Sequence, residues 1–205
     1  MRVLVPFDAR DPNTRLSSLF DPGQRRELAA VLLADVLAAI REAGHEPSVL
    51  STAPVDRDCP VLVDDSPLTD AVNARLVDAE LPLAVVMADL GLVTPRSVRR
   101  LLDSDSDVVL APGLGGGTNA IRVDHPDFRV DYHGGSYRKH RRAARECGAS
   151  THTVDSFRLA VDVDEPSDLA EVLLHGRGET AEWLREAGIE LDTADGRCTV
   201  GRADE

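Results

Sequence analysis

The sequence predicts an α/β fold with a mostly parallel sheet, and three observations predict it. From Arg2 to Ala111, apolar runs of strand length alternate with helical patterns. Two of those runs, Leu83–Ala88 (LAVVMA) and Asp107–Ala111, lack the in–out alternation of a half-exposed strand, as expected for strands buried on both faces. The segments between strands open on helix-start chemistry, with Asp21-Pro22-Gly23-Gln24 and Thr94-Pro95 as the clearest cases. Together these give a doubly wound sheet.

Taken in order, Arg2–Phe7 (RVLVPF) reads as the first buried strand, followed by a polar loop from Asp8 to Phe20. Asp21 caps a helix whose apolar face carries Leu28, Val31, Leu32, Val36, Ala39 and Ile40, and Gly44 stops it. Pro47–Thr52 and Pro60–Asp64 are expected as short strands, Pro67–Ala79 as a helix, and Thr94-Pro95 as the start of a helix ending near Ser104. The alternation breaks at Pro112. A glycine-rich segment, Gly113–Asn119, leads into a short strand at Ala120–Val123, and a loop then runs to Gly134-Gly135-Ser136, where a basic helix opens. Thr151–Val154 and Leu159–Val163 are expected as further strands, Pro166 to about Gly176 and Glu179–Ala187 as helices. Asp195-Gly196 is expected as the turn of a terminal hairpin.

Composition narrows the function. The 205 residues suit one domain with a sizeable core, and 42% are hydrophobic. No run approaches the ~20 apolar residues that span a bilayer, and the charged first twenty residues do not form a secretory signal. A cytoplasmic protein with no membrane partner is therefore expected. Cys59, Cys147 and Cys198 are far apart, which favours isolated thiols over a disulfide framework or a zinc site. The formal net charge of -13 argues against nucleic acid as a partner. Lys139 is the only lysine. An acidic, lysine-poor chain points to a cytoplasm of very high salt, although a GC-rich genome also favours arginine over lysine. The salt reading makes a prediction: the melting midpoint falls as salt is dialysed away, because self-repulsion is then unscreened. An unchanged melt in dilute buffer would remove that reading.

Several residues could carry chemistry. Asp89 ends the apolar strand at Leu83–Ala88, and ligands of open α/β sheets gather at the carboxyl ends of strands. Asp162-Val163-Asp164 places two carboxylates on one face if the segment is extended, and like charges there call for a cation between them. Asp89, Asp162 and Asp164 thus form a candidate divalent site with oxygen ligands suited to magnesium. Each is equally compatible with an ordinary loop or strand-end aspartate. The glycines up to Gly117, followed by Thr118, let backbone N–H groups approach an anion, and they also fit a plain turn. Gly134-Gly135-Ser136 ahead of a helix is a natural anion site, and Ser136 and His140 share a helical face. Arg15 in the first loop could reach a triphosphate, and Asn73 could read a base or ribose.

In order along the chain, the segments VPFDARDPNTRLS, VDDSPLTDAVNARL, VVMADLGLVTP, APGLGGGTNAIRV, YHGGSYRKH and LAVDVDEPSDL resemble the 2-phospho-L-lactate guanylyltransferase family of coenzyme F-420 biosynthesis, over residues 3 to about 175. The resemblance implies a three-layer α/β/α nucleotidyltransferase (nucleotide-diphospho-sugar transferase-like) fold with a mostly parallel mixed sheet. It implies a nucleotidyltransferase domain at 1–176 and a C-terminal extension at 177–205 packed on the same domain. It makes Asp89, Asp162 and Asp164 the catalytic metal ligands and Mg2+ the cofactor. Gly117, Thr118, His133 and Ser136 become the acceptor site, and Pro6, Arg15 and Asn73 the nucleotide site.

The chain departs from the family pattern at three places. Asp8 stands where the first loop often has lysine, Gly91 where D-x-P has proline, and His133 where a glycine is common. The implied reaction is transfer of GMP from GTP to 2-phospho-L-lactate with release of pyrophosphate. Phosphoenolpyruvate or 3-phosphoglycerate as acceptor, a metal-dependent glycosyltransferase, and a non-catalytic nucleotide-binding regulator stay open as alternatives. A homodimer is the ordinary expectation for an enzyme of this kind.

Overall fold

The computed structural model describes residues 1–193, 196 and 198–202. A seven-stranded sheet is formed by β1 (Arg2–Phe7), β2 (Glu46–Ser51), β3 (Val61–Val63), β4 (Leu83–Val86), β5 (Val108–Pro112), β6 (Thr118–Val123) and β7 (Thr151–Thr153), in the order β3-β2-β1-β4-β6-β5-β7. All neighbouring pairs are parallel except those of β6, which runs antiparallel to both β4 and β5. The helices are α1 (Pro22–Glu42), α2 (Leu68–Asp78), α3 (Pro95–Leu102), α4 (Ser136–Glu146), α5 (Phe157–Ala160), α6 (Pro166–His175) and α7 (Glu179–Glu186). A small hairpin, β8 (Ile189–Asp192) with β9 (Thr199–Arg202), closes the described chain. Of the expected Asp195-Gly196 turn, Asp195 lies outside the described residues.

Side-chain alternation along the strands builds two separate cores. Val3, Val5, Ala84, Val86, Val109 and Ala111 face α1 and α3, while Leu4, Val85, Leu110, Ile121 and Val123 face α2 and α4. A third core joins the far side of α1, through Leu28 and Leu32, to Leu169 and Val172 of α6, Leu184 of α7 and Ile189 of β8. The N-terminus of α7 is capped across the chain by Asp35 of α1, which accepts from the Glu179 and Thr180 N–H groups at 3.0 and 2.9 Å.

The helix starts follow the capping chemistry. Asp21 accepts from the Gly23 and Gln24 N–H groups, and Thr94 from that of Ser97, each in a capping box with proline at the first turn. The glycine-rich segment is the loop of the β5–β6 hairpin. It is closed by Gly113 N–H to Gly117 O at 3.1 Å, with Gly116 at φ +82°. That hairpin is why β6 reverses direction in an otherwise parallel sheet.

One expected element is corrected. Leu159–Val163 is not a strand: Phe157–Ala160 forms a single helical turn, α5, and 161–164 then runs extended without joining the sheet. A short apolar run does not distinguish the two states by period. Here Leu159 is buried against the α1–α3 core. The extended stretch crosses the carboxyl edge of the sheet, where Val163 N–H donates to Asp89 O at 3.0 Å. Val161 and Val163 are buried while Asp162 and Asp164 are half-buried, so the D-x-D carboxylates do share a face. Among the described residues no helix is long and apolar enough to cross a membrane. The three cysteines are free thiols.

Candidate active site

The strand order reverses between β1 and β4, and there the sheet opens a cavity of about 430 Å3 at its carboxyl edge. Pro6 and Phe7 at the end of β1, Thr52 after β2, and Met87, Ala88 and Asp89 after β4 line it, together with the first loop from Asp11 to Arg15. Among the charged residues of the lining, Asp8, Asp11, Asp64, Asp89 and Asp164 face a single cation, Arg15. An uncompensated triphosphate would be repelled by such a wall.

The carboxylates are held by different means. Asp89 Oδ1 is buried and has no hydrogen-bond partner. Burial first, and then the charges of Asp162 and Asp164, push its pKa up to about 7. Asp164 is also raised, by burial and by Asp162, against the pull of Arg15, whose guanidinium lies 2.9 Å away. Asp162 Oδ1 accepts from Asn119 Nδ2 at 3.1 Å. The described residues contain no group of three His, Cys, Asp or Glu side chains already gathered around one point. Asp89 and Asp164 line the cavity; Asp162, two residues before Asp164, is not part of that lining, and Arg15 and Asn119 are the partners of Asp164 and Asp162. An orphaned, buried carboxylate oxygen beside two further carboxylates is a donor set that fits a hard divalent cation.

Asn119 was not singled out by the sequence, and its role rests on an irregularity of the sheet. Ala120 pairs with Ala111, but Thr118 pairs with Pro112, so β6 carries an extra residue at Asn119. The bulge overrides simple alternation. Asn119 turns to Ala160 O and Asp162, whereas Thr118 turns to α4, where His140 Nδ1 lies 2.9 Å from its Oγ1. An added Cβ at Gly113 would lie 2.5 Å from Asn119 Oδ1, so the first glycine of the loop makes room for this amide.

The remaining candidates separate. Pro6 and Arg15 line the cavity, but Asn73 does not. The Asn73 amide is committed on both sides to Val130, donating to its O at 3.0 Å and accepting from its N at 2.9 Å, so it anchors the loop before α4. Thr118 and Ser136 are buried at the junction of the hairpin loop and the start of α4, which is tied by Tyr137 N–H to Gly116 O at 3.3 Å. Gly117 closes the same loop through its carbonyl. His133 is exposed, and its N–H donates to Asp131 Oδ1 at 2.9 Å.

Residues 1–202 match the family described as guanylyl transferase CofC like. This chain belongs to that family. Relatives named 2-phospho-L-lactate guanylyltransferase include those of Halomicrobium mukohataei, 57% identical with 98% of this chain and 100% of the relative covered, and Haloferax volcanii, 58% identical with 98% of both covered. In fold the family member is similar to a nucleotidyl transferase from Methanothermobacter, at TM-score 0.58 and 16% identity over 90% of this chain and 98% of the other. It is also similar to a protein from Desulfovibrio desulfuricans described as a nucleotide-diphospho-sugar transferase, at TM-score 0.74 and 16% identity over 90% and 94%. The family match reaches past residue 176, beyond the six resembling segments, and so includes α7 and the terminal hairpin.

Two departures from the family pattern have local reasons. Asp8 folds back to accept from Thr52 Oγ1 at 2.9 Å and from the Arg10 N–H at 3.0 Å, so it shapes the first loop. Gly91 sits under α6, where an added Cβ would lie 2.8 Å from Val172 Cγ2, and its N–H donates to Asp89 O at 3.0 Å. A proline at 91 would lose that donor and crowd α6.

Proposed function

We propose that this family member transfers GMP from GTP to 2-phospho-L-lactate, giving lactyl-2-diphospho-5'-guanosine and pyrophosphate. The reading is carried by near-full-length similarity to relatives whose names specify that acceptor. The acidic cavity at the switch point agrees with it. A phosphate oxygen of the acceptor attacks the α-phosphorus of GTP in line, and the bond to the β-phosphate breaks as pyrophosphate leaves. The acceptor phosphate is already largely ionised at neutral pH, with a second pKa of roughly 6, so no side chain need act as base.

Magnesium held by Asp89, Asp162 and Asp164 would supply charge neutralisation for the triphosphate and its leaving group. Arg15 stands beside that set, and on moving from Asp164 it offers a bidentate contact to a phosphate. Pro6 contributes to the wall of the nucleotide cavity. Thr118, Ser136 and the backbone of the glycine-rich loop would hold the acceptor's anionic groups, with an exposed anion stabilised at the start of α4. Their side of the site meets the aspartates through Asn119, one residue from Thr118.

The test is pyrophosphate release in high salt with magnesium. Release with GTP and 2-phospho-L-lactate, and little with ATP, CTP or phosphoenolpyruvate in their place, is the expected result. Equal release with phosphoenolpyruvate would overturn the acceptor assignment. No release with any acceptor from folded protein would overturn the catalytic reading.

A further inference from the structure

His140 is fully buried on α4. It is edge-on to the Tyr132 ring at 5.1 Å and to the Phe128 ring at 6.2 Å. Both ring nitrogens are engaged. The Asp131 N–H donates to Nε2 at 2.9 Å, and Nδ1 lies 2.9 Å from Thr118 Oγ1. A backbone N–H can only donate, so Nε2 is the unprotonated nitrogen and the neutral ring carries its proton on Nδ1. That proton goes to Thr118 Oγ1. The threonine oxygen accepts it, and among the described residues it has no other hydrogen-bond partner, so its own proton is left to donate elsewhere. The hairpin loop and the start of α4 are uncrowded: a Cβ added at Gly116, two residues before Thr118, or at Gly134 or Gly135 would meet nothing within 4 Å.

We propose that His140 is a positioning residue: locked by the Asp131 amide as its Nδ1–H tautomer, it orients Thr118 as a hydrogen-bond donor to an anionic oxygen of the acceptor. A ring held in the opposite tautomer would accept from Thr118 and consume the proton meant for the ligand. The charged groups nearest the ring are Asp131, which favours its protonation, and Lys139, which opposes it. Burial outweighs both and pushes the His140 pKa down to about 4, so the donor arrangement holds through the neutral range. Asp131 is itself kept ionised by Lys139, 2.9 Å away, and by the His133 N–H, which steadies the turn that presents its amide to Nε2.

This inference rests on Thr118 touching the acceptor, and the experiment separates the two claims. His140→Phe keeps the ring packing and removes both nitrogens, His140→Asn keeps a donor near the Nδ1 position, and Thr118→Val removes the hydroxyl. Expected are a rise in KM for 2-phospho-L-lactate on the order of tenfold in Thr118→Val and in His140→Phe, with KM for GTP little changed. His140→Asn should recover most of that loss, and the Thr118→Val/His140→Phe double variant should be no worse than Thr118→Val alone. An unchanged KM in Thr118→Val overturns the placement of the acceptor and this proposal with it. A raised KM there, with an unchanged one in folded His140→Phe, overturns the proposal alone. The wild-type protein gives a second readout that no folding defect can obscure. Its 15N spectrum should show His140 Nδ1 protonated and Nε2 bare, and a protonated Nε2 at neutral pH overturns the proposal.

Discussion

Asp89→Asn is expected to lower nucleotidyl transfer by at least about a hundredfold while making the metal-free protein more stable at alkaline pH. The two effects share one cause. Asp89 Oδ1 is buried without a partner and faces Asp162 and Asp164, so the folded state prefers the protonated carboxyl, with a pKa pushed up to about 7. The unfolded chain titrates in the ordinary carboxylate range, near 3.9. The folded state therefore binds the extra proton between those values. The resulting penalty is absent below the ordinary range, grows as pH rises through it, and is complete above about 7. Asparagine does not ionise and escapes the penalty. Melts without metal should show the variant's advantage at pH 8 and its loss at pH 3.5. Wild-type turnover in the variant would remove Asp89 from the catalytic set. A stability difference independent of pH would show that its charge is not penalised.

The second large effect is expected at the D-x-D pair. Asp162→Asn and Asp164→Asn should each abolish nearly all turnover with melting midpoints close to wild type. Asparagine at 162 keeps an oxygen for the Asn119 amide, which now reaches Asp162 Oδ1 at 3.1 Å. At 164 the change costs the Arg15 ion pair, whose partners are 64% and 50% exposed, and such exposed pairs are worth at most about 1 kcal/mol. Lost activity in these variants therefore reports lost charge at the site. Turnover measured against magnesium concentration, beside thermal melts, decides the matter. Activity restored to wild type by excess magnesium would reduce these residues to a binding role, and undiminished activity at ordinary magnesium would exclude them.

Much of this molecule was legible in the chain. Arg2–Phe7 and Leu83–Ala88 read as strands because burial on both faces leaves uninterrupted apolar runs, and they became β1 and β4, which flank the switch point. The starts of α1 and α3 read correctly because capping is a contact among residues a few positions apart. Asp89 was singled out by its position after a buried strand, and it lines the cavity at the carboxyl edge of the sheet. Asp162 and Asp164 were proposed from spacing. Their supposed strand is an unpaired extended crossing after a helical turn, but period-two alternation needs only extended backbone and not sheet partners.

Other features were not local. Asn73 looks like a surface polar residue in the sequence, yet its two hydrogen bonds go to Val130, 57 positions away. Asn119 reaches Asp162 across 43 residues, and only the extra residue in β6 turns it that way. His140 was visible as a helical neighbour of Ser136, but its tautomer is set by the Asp131 amide, and its Nδ1 faces Thr118. The sequence by itself determined the alternating strands and helices, the capped helix starts and the place of Asp89 just after a buried strand, because each follows from short-range geometry and burial. The tertiary structure decided which carboxylate is left without a partner, which amide holds its neighbour and which nitrogen carries the proton, because those depend on contacts between distant segments whose distances no local pattern encodes.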